Sequence, residues 1–448
     1  MNGVARWDTT GWSALGGGFG FIDPDASYSV QELFSVDRGA REELFAGGFF
    51  SKIEEKIGFD VARWDGSAWA PMGSGQGFWR GRIQAFALFD DGSGPAVHAG
   101  GRVYAAGGEE QRGVVRWDGA RWESLPNNPY WEDPKDANVV SVTALGTFDD
   151  GSGEELFVAH QFGPAGVSRI QRFDGNDWSD APGGPLVFGA LSVDAFEAFD
   201  DGSGPALYAA GRFDASGAIP TANIARWDGA QWSAVGSGLG SGPNDRVRAL
   251  AVFDDGTGPK LYAGGTFQGA GGVPLTNLAV WNGASWEDVG VNLGVVRDMV
   301  VADLPEFGGE VLVVCGGLDQ AGGLSDLRGV AAWDGTSWYE ARGNLPTNNA
   351  LVLGLAAFPS VDGARRSELY LAHENQFLYR WDGVAWAAFT RTDVPVHRLA
   401  SFAEEGPADG LWIGHSGRSV NGLRVPSVGV ARWLVPRRPS LLSGPQRR

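Results

Sequence analysis

The chain has 448 residues, 70 of them glycine and 19 tryptophan, with an apolar content of 43%, a composition that is turn-rich and too aromatic for disorder. A formal net charge of −19 repels phosphate backbones and anionic membrane surfaces, which excludes nucleic acid as an expected partner and leaves cations, basic proteins or neutral glycans. A single cysteine, Cys315, excludes an internal disulfide framework and a cysteine-cluster metal site.

From the N-terminus, Met1 to Trp7 hold no basic stretch followed by an apolar one. No window of about twenty apolar residues occurs anywhere, so no membrane insertion is expected. The first predicted element is a short strand carrying Trp7 that turns back at Trp12. The same unit, seen most cleanly as Ile224-Ala225-Arg226-Trp227-Asp228-Gly229-Ala230-Gln231-Trp232, returns along the whole chain. Its first aromatic falls at Trp7, Trp64, Trp117, Phe173, Trp227, Trp281, Trp333, Trp381 and Trp433, at intervals of 48 to 57 residues. The partner falls five positions on, at Trp12, Trp69, Trp122, Trp178, Trp232, Trp286, Trp338 and Trp386. Sixteen of the nineteen tryptophans are thereby in register, which chance does not supply.

Between these units lies a second, Ala249-Leu250-Ala251-Val252-Phe253-Asp254-Asp255-Gly256-Thr257-Gly258 followed by Leu261-Tyr262-Ala263-Gly264-Gly265. Related versions begin near Leu33, Phe86, Leu145, Phe196, Met299, Leu355 and Leu399. Each period therefore predicts two successive hairpins, that is, four antiparallel strands. Aromatic residues five apart across a tight loop lie opposite each other in a hairpin, so each pair should stack on one face of its sheet. That face has to be covered by the neighbouring sheet. The expected fold is all-β, a β-propeller of about eight four-stranded antiparallel blades.

The Trp-bearing strand occurs once more than the first hairpin, because the chain begins and ends within the repeat. The closing blade is expected to join Gly3 to Leu15 with Arg398 to Trp433, giving one domain over residues 1–434. Residues 435–448 read as a disordered tail. The same offset also fits a piece of a longer surface protein.

The order apolar strand, Tyr-Ala-Gly-Gly, Arg-Trp-Asp-Gly, Trp resembles kelch and galactose-oxidase-type propellers. It is most similar to the repeats of the fungal cortical polarity-marker family and of bacterial exported proteins rich in the same units. The resemblance spans Gly3 to Trp433 and implies an extracytoplasmic, binding-type role, extracellular or at the cell surface. It carries no catalytic set. Galactose oxidase holds its copper with tyrosines and histidines, one tyrosine crosslinked to a cysteine, whereas Cys315 lies in the apolar run Val311-Leu312-Val313-Val314-Cys315 and reads as a buried, inert thiol.

Four loops of the form Asp-Asp-Gly-Ser/Thr-Gly place adjacent carboxylates in oxygen-rich turns: Asp90 and Asp91, Asp149 and Asp150, Asp200 and Asp201, Asp254 and Asp255. Such pairs are candidate calcium ligands. Asp-Gly is also the common hairpin turn, and two neighbouring carboxylates fall short of the six or so oxygens a calcium loop needs. Arg6, Arg63, Arg116, Arg172, Arg226, Arg380 and Arg432 precede the first aromatic and are expected to form ion pairs between blades. His160, His373 and His415 all replace the second glycine of Tyr-Ala-Gly-Gly. Of these His373 and His415 fall in adjacent repeats and, with Trp131, are candidates for a binding face.

No Gly-x-Ser-x-Gly elbow, His-Glu-x-x-His helix or phosphate loop is present. The expected function is non-catalytic binding or scaffolding of a protein or glycan ligand, by a monomer, with calcium as the one cofactor considered. The alternative is a carbohydrate-active enzyme with an acidic site at the channel mouth, drawing on Glu54, Glu55, Trp131, Glu132 and Asp133 in the inserts Phe49 to Phe59 and Asn127 to Asn138.

Overall fold

A computed structural model describes strands between Ala5 and Trp433, with side chains chiefly between residues 83 and 399. Six consecutive four-stranded antiparallel blades carry that detail. Blade 1 comprises Arg82–Asp90, Pro95–Arg102, Val114–Trp117 and Trp122–Ser124. Blade 2 comprises Ser141–Asp149, Glu154–Phe162, Val167–Phe173 and Trp178–Asp180. Blade 3 comprises Ser192–Asp200, Pro205–Arg212, Ile224–Trp227 and Trp232–Ala234. Blade 4 comprises Arg246–Asp254, Pro259–Ala270, Val273–Trp281 and Trp286–Asp288. Blade 5 comprises Val295–Leu304, Gly309–Gly317, Val330–Trp333 and Trp338–Glu340. Blade 6 comprises Val352–Phe358, Glu368–His373, Phe377–Trp381 and Trp386–Arg391.

Within each blade the strands pair in chain order, so the first is an edge strand. These first strands lie side by side from blade to blade, which makes them the inner strands of a radial array. The arrangement is that of a β-propeller.

The aromatic pairs explain why the blades pack this way. Trp117 and Trp122, Phe173 and Trp178, Trp227 and Trp232, Trp281 and Trp286, Trp333 and Trp338, and Trp381 and Trp386 are directly opposite in register. Their ring centroids lie between 5.0 and 5.4 Å apart. From blade 2 onward each pair packs against the preceding blade: Trp281 and Trp286 share one apolar cluster with Phe199, Tyr208 and Ile224 of blade 3, and Trp227 and Trp232 share another with Phe148 and Phe157 of blade 2. The core is thus a series of inter-blade layers. Removing one such indole costs about 3–5 kcal/mol, the usual range for large buried aromatics.

The Gly-Gly pair has a different task at each position. A Cβ at Gly264 would stand 2.5 Å from Val296 of the next blade, and one at Gly265 would stand 2.0 Å from the Arg246 carbonyl of its own inner strand. The first glycine admits the neighbouring blade and the second lets the inner strand cross close by. Cys315, which takes the first of these positions in blade 5, is fully buried as expected.

The expectation of about eight complete blades is not met. Besides the six blades there is a four-stranded sheet at Ser29–Asp37, Glu42–Phe49, Val61–Trp64 and Trp69–Pro71, and a three-stranded one at Val396–Phe402, Gly410–His415 and Val430–Trp433. Val396–Phe402 lies beside the inner strands of both blade 6 and blade 1, which leaves no room for a further blade between them. The expected closure is not found either: Ala5–Asp8 pairs with Gly11–Ala14 as a separate two-stranded sheet rather than with Val430–Trp433. Residues 434–448, expected as a tail, lie outside the described residues. No helix of the described residues is long and apolar enough to cross a membrane.

Candidate functional site

Two places concentrate polar side chains: the turns of the first hairpins and the region where the inner strands converge. The turns are the candidate calcium loops. In blade 1 Asp90 Oδ1 accepts hydrogen bonds from the Gly92 and Gly94 amides at 2.8 and 2.9 Å, and Asp91 Oδ1 accepts from Ser93 N and Oγ at 3.1 and 2.5 Å. Asp149 and Asp150, Asp200 and Asp201, and Asp254 and Asp255 repeat the pattern. Gly92 and Gly94 sit at φ of 91° and 107°, which only glycine adopts without strain.

The second aspartate of each loop also meets the next blade. Asp201 Oδ2 accepts from Tyr208 Oη at 2.8 Å and from the Trp281 indole of blade 4 at 3.1 Å. Burial opposes its ionisation, but the hydrogen bonds from Ser203, Trp281 and Tyr208 prevail and hold its pKa below the usual carboxylate value. The Trp-Asp-Gly turn of the next blade seats on this residue. A Cβ at Gly175, Gly229, Gly283 or Gly335 would lie 2.5 to 3.0 Å from Asp91, Asp150, Asp201 or Asp255 respectively. In blade 5 the loop is a 3₁₀ turn, Pro305–Phe307, and Glu306 takes over the latch, accepting from the Trp381 indole at 2.5 Å.

Asp201 and Glu306 thereby fasten one blade to the next, and the other loops lie against the following turn. Among the described residues no group of three or more His, Cys, Asp or Glu side chains is placed to hold a metal ion.

The arginines before the first aromatic differ from expectation. Arg116 pairs with Asp91 at 3.1 Å, Arg172 with Glu155 at 2.8 Å, and Arg226 with Asp201 at 4.0 Å and with the Gly204 carbonyl at 2.8 Å. All of these contacts lie within one blade, because the arginine faces its own hairpin turn across the second strand.

His160 and His373 are buried on the second strands of blades 2 and 6, opposite Val142 and Val352. Burial, then the neighbouring Arg169, lowers the His160 pKa to about 3, so this ring is neutral at any physiological pH. The backbone of His415 pairs with Val396, and its side chain lies outside the described residues, as do Trp131, Glu132, Asp133, Glu54 and Glu55. The structure thus places His160 and His373 in the packing.

Where the inner strands of blades 1 to 5 converge they enclose a cavity of about 200 Å³. Its wall is apolar at Ala85, Ala144, Ala195 and Ala249, and its polar groups are Gln84, Asp194, Glu197 and Asp298. Asp298 accepts from the Met299 and Leu355 amides at 3.1 and 3.0 Å. Asp194 takes Ser192 Oγ at 2.9 Å and a two-pronged contact from Arg246. Glu197 is half-buried, and desolvation pushes its pKa up to about 7.

None of these residues stands out in the repeat pattern. The available signal was the third residue of each inner strand, polar in Arg-Ile-Gln-Ala, Ser-Val-Thr-Ala, Ser-Val-Asp-Ala, Arg-Val-Arg-Ala and Val-Val-Arg-Asp.

No protein-family profile matches the chain, and no curated protein sequence does. Among solved structures, similarity extends to the computationally designed Ika8 protein, with 14% identity and a TM-score of 0.41 over 80% of this chain and 98% of that one. It extends also to BBS1N in complex with ARL6DN, at 11% identity and 0.44 over 77% and 95%, and to the Dos1 propeller, at 11% and 0.39 over 86% and 93%. At these values the assignment to the propeller class stands on the strand pairing itself.

Proposed function

We propose that the chain is a non-catalytic binding or scaffolding propeller, acting outside the cytoplasm as a monomer, which presents the converging ends of its inner strands to a protein or glycan ligand. The observation that supports this most is the division of labour among the polar residues. The aspartates repeated in blades 1 to 4 are engaged in their own turns, and Asp201 also holds the next blade. The residues at the bulge of the inner strands vary along the array, as Gln84, Thr143, Asp194 and Arg248 do at one register position, and Gln84 and Asp194 line the cavity. A ligand approaching that face meets groups that vary along the array, which is how a repeat protein acquires specificity on a regular frame. The kelch-type motif agrees with this role and with an exported location. The test is binding of the purified chain to glycan and protein arrays, followed by recovery of the ligand. Saturable binding with the ligand intact is expected, and release of a cleaved product would refute the reading.

One observation favours the carbohydrate-active alternative. Glu197, with its raised pKa, shares a cavity with the ion-paired Asp194, and a proton-holding carboxyl beside a second carboxylate is the pairing glycoside hydrolysis uses. Hydrolysis of any glycan that is lost in Glu197→Gln would establish this alternative.

A further inference from the structure

The inner strands share a defect. In every blade the ladder to the second strand slips by one residue at the same place, between Ile83 and Ala85, Val142 and Ala144, Val193 and Ala195, Val247 and Ala249, Val296 and Asp298, and Val352 and Gly354. The residue squeezed out is Gln84, Thr143, Asp194, Arg248, Arg297 or Leu353. A β-bulge on an edge strand re-aims the extra residue out of the ladder. Here the edge is the convergent one, and Gln84 and Asp194 line the cavity.

Three members of this set have partners within the protein. Gln84 Oε1 accepts from Ser141 Oγ at 2.6 Å, Thr143 Oγ1 donates to the Val193 carbonyl at 2.5 Å, and Asp194 is paired with Arg246. Arg248 and Arg297, on consecutive blades, are different. The Nε of each is buried with no hydrogen-bond partner, and no ion pair joins either guanidinium to a carboxylate among the described residues. Burial, then the cation of Arg246, lowers the pKa of Arg248 against the opposing charge of Asp194, and Arg297 adds to the lowering. In a chain with a net charge of −19, carboxylates to neutralise two adjacent arginines are plentiful, yet among the described residues Asp194, the carboxylate whose charge reaches Arg248, is itself ion-paired with Arg246. A desolvated donor left without an acceptor is unfavourable, and more so when it is charged.

We propose that Arg248 and Arg297 form an anion site that takes the carboxylate group of a small organic acid. The planar guanidinium fork matches an oxyanion in two-pronged fashion, and two forks on neighbouring strands can share one. Asp194, Glu197 and Asp298 line the cavity between the same inner strands and disfavour a dianion more than a monoanion, so a monocarboxylate fits better than a phosphate. The site goes beyond the binding role argued above, since an enzyme could use it equally.

The test is titration of the full chain with glucuronate and with butyrate, followed by calorimetry at matched ionic strength, with glucose and inorganic phosphate as comparisons. Wild-type protein is expected to bind at least one of the two acids, to bind phosphate more weakly, and to ignore glucose. Arg248→Gln and Arg297→Gln should each weaken the acid at least tenfold. If either glutamine variant fails to fold, Arg248→Lys and Arg297→Lys keep the charge, lose the fork, and should still weaken it several-fold. Absence of binding of both acids at millimolar concentration overturns the proposal. So does unchanged affinity in folded variants, or a phosphate that binds more tightly than either acid.

Discussion

His98 shows how one substitution in a repeat changes the pH response of the whole. It occupies the position held by Tyr208 in blade 3, opposite the arginine that precedes the first aromatic, and it is fully buried with Nδ1 3.1 Å from the Ala96 carbonyl. Burial, helped by the charge of Arg116, lowers its pKa to about 4. Between about 4 and the ordinary value near 6.5 the unfolded chain binds a proton that the folded chain refuses, so stability is full above pH 6.5 and falls as the pH drops through this window. His160, lowered to about 3, acts in the same direction. His98→Tyr removes one of the two effects, and its hydroxyl can reach Asp91 as that of Tyr208 reaches Asp201. The variant should gain about 2 kcal/mol over wild type at pH 5 relative to pH 8, read as the difference between the two proteins' denaturation midpoints at each pH. Equal midpoint differences at both pH values would show that His98 does not titrate as described.

At the scale of the element, the hairpin is what the sequence displayed best. The aromatic pairs five apart are cross-strand neighbours in all six blades, because a strand-turn-strand unit leaves that spacing no other geometry. The turns were harder to interpret. Adjacent aspartates read as a hairpin turn or, short of oxygens, as part of a calcium loop, and the contact to the next blade was not legible, since Trp281, the partner of Asp201, lies some eighty residues away. Asp201→Asn replaces an acceptor of two hydrogen bonds by a donor and should lower stability by about 1.5–3 kcal/mol, while a chelator should leave the wild-type melting temperature unchanged. A chelator-induced drop would return these loops to the metal-binding reading. The Gly-Gly pair gives a second check. Gly265→Ala should destabilise severely or prevent folding, because its Cβ would overlap a backbone carbonyl. Gly354→Ala, whose nearest neighbour stands at 3.5 Å, should fold with nearly wild-type stability. Comparable loss in both would mean that strand propensity and not the close crossing governs these sites.

For the molecule as a whole, periodicity of about 53 residues made the propeller class readable, since sixteen indoles in register demand a stack of like sheets. The number of blades was not readable. The repeat at Ser29–Pro71 carries the same motif as the others, and only the seating of Val396–Phe402 beside blade 1 distinguishes it. The site was hidden for a related reason. Arg248 and Arg297 alternate with apolar residues as any half-exposed strand residue does, and the slip in register that takes them out of the ladder leaves no mark on the sequence. Glu197, in the cavity, was equally silent, because Ala251 and Ala356 follow the bulge at the same distance in blades 4 and 6. The most direct test of a binding role centred on the inner strands is amide hydrogen exchange of the purified chain with and without a ligand found by array screening. Slowed exchange is predicted in peptides covering Arg82–Asp90, Ser192–Asp200, Arg246–Asp254 and Val295–Leu304. Protection confined to the Asp-Asp-Gly turns or the outer strands, with the inner strands unchanged, would contradict it.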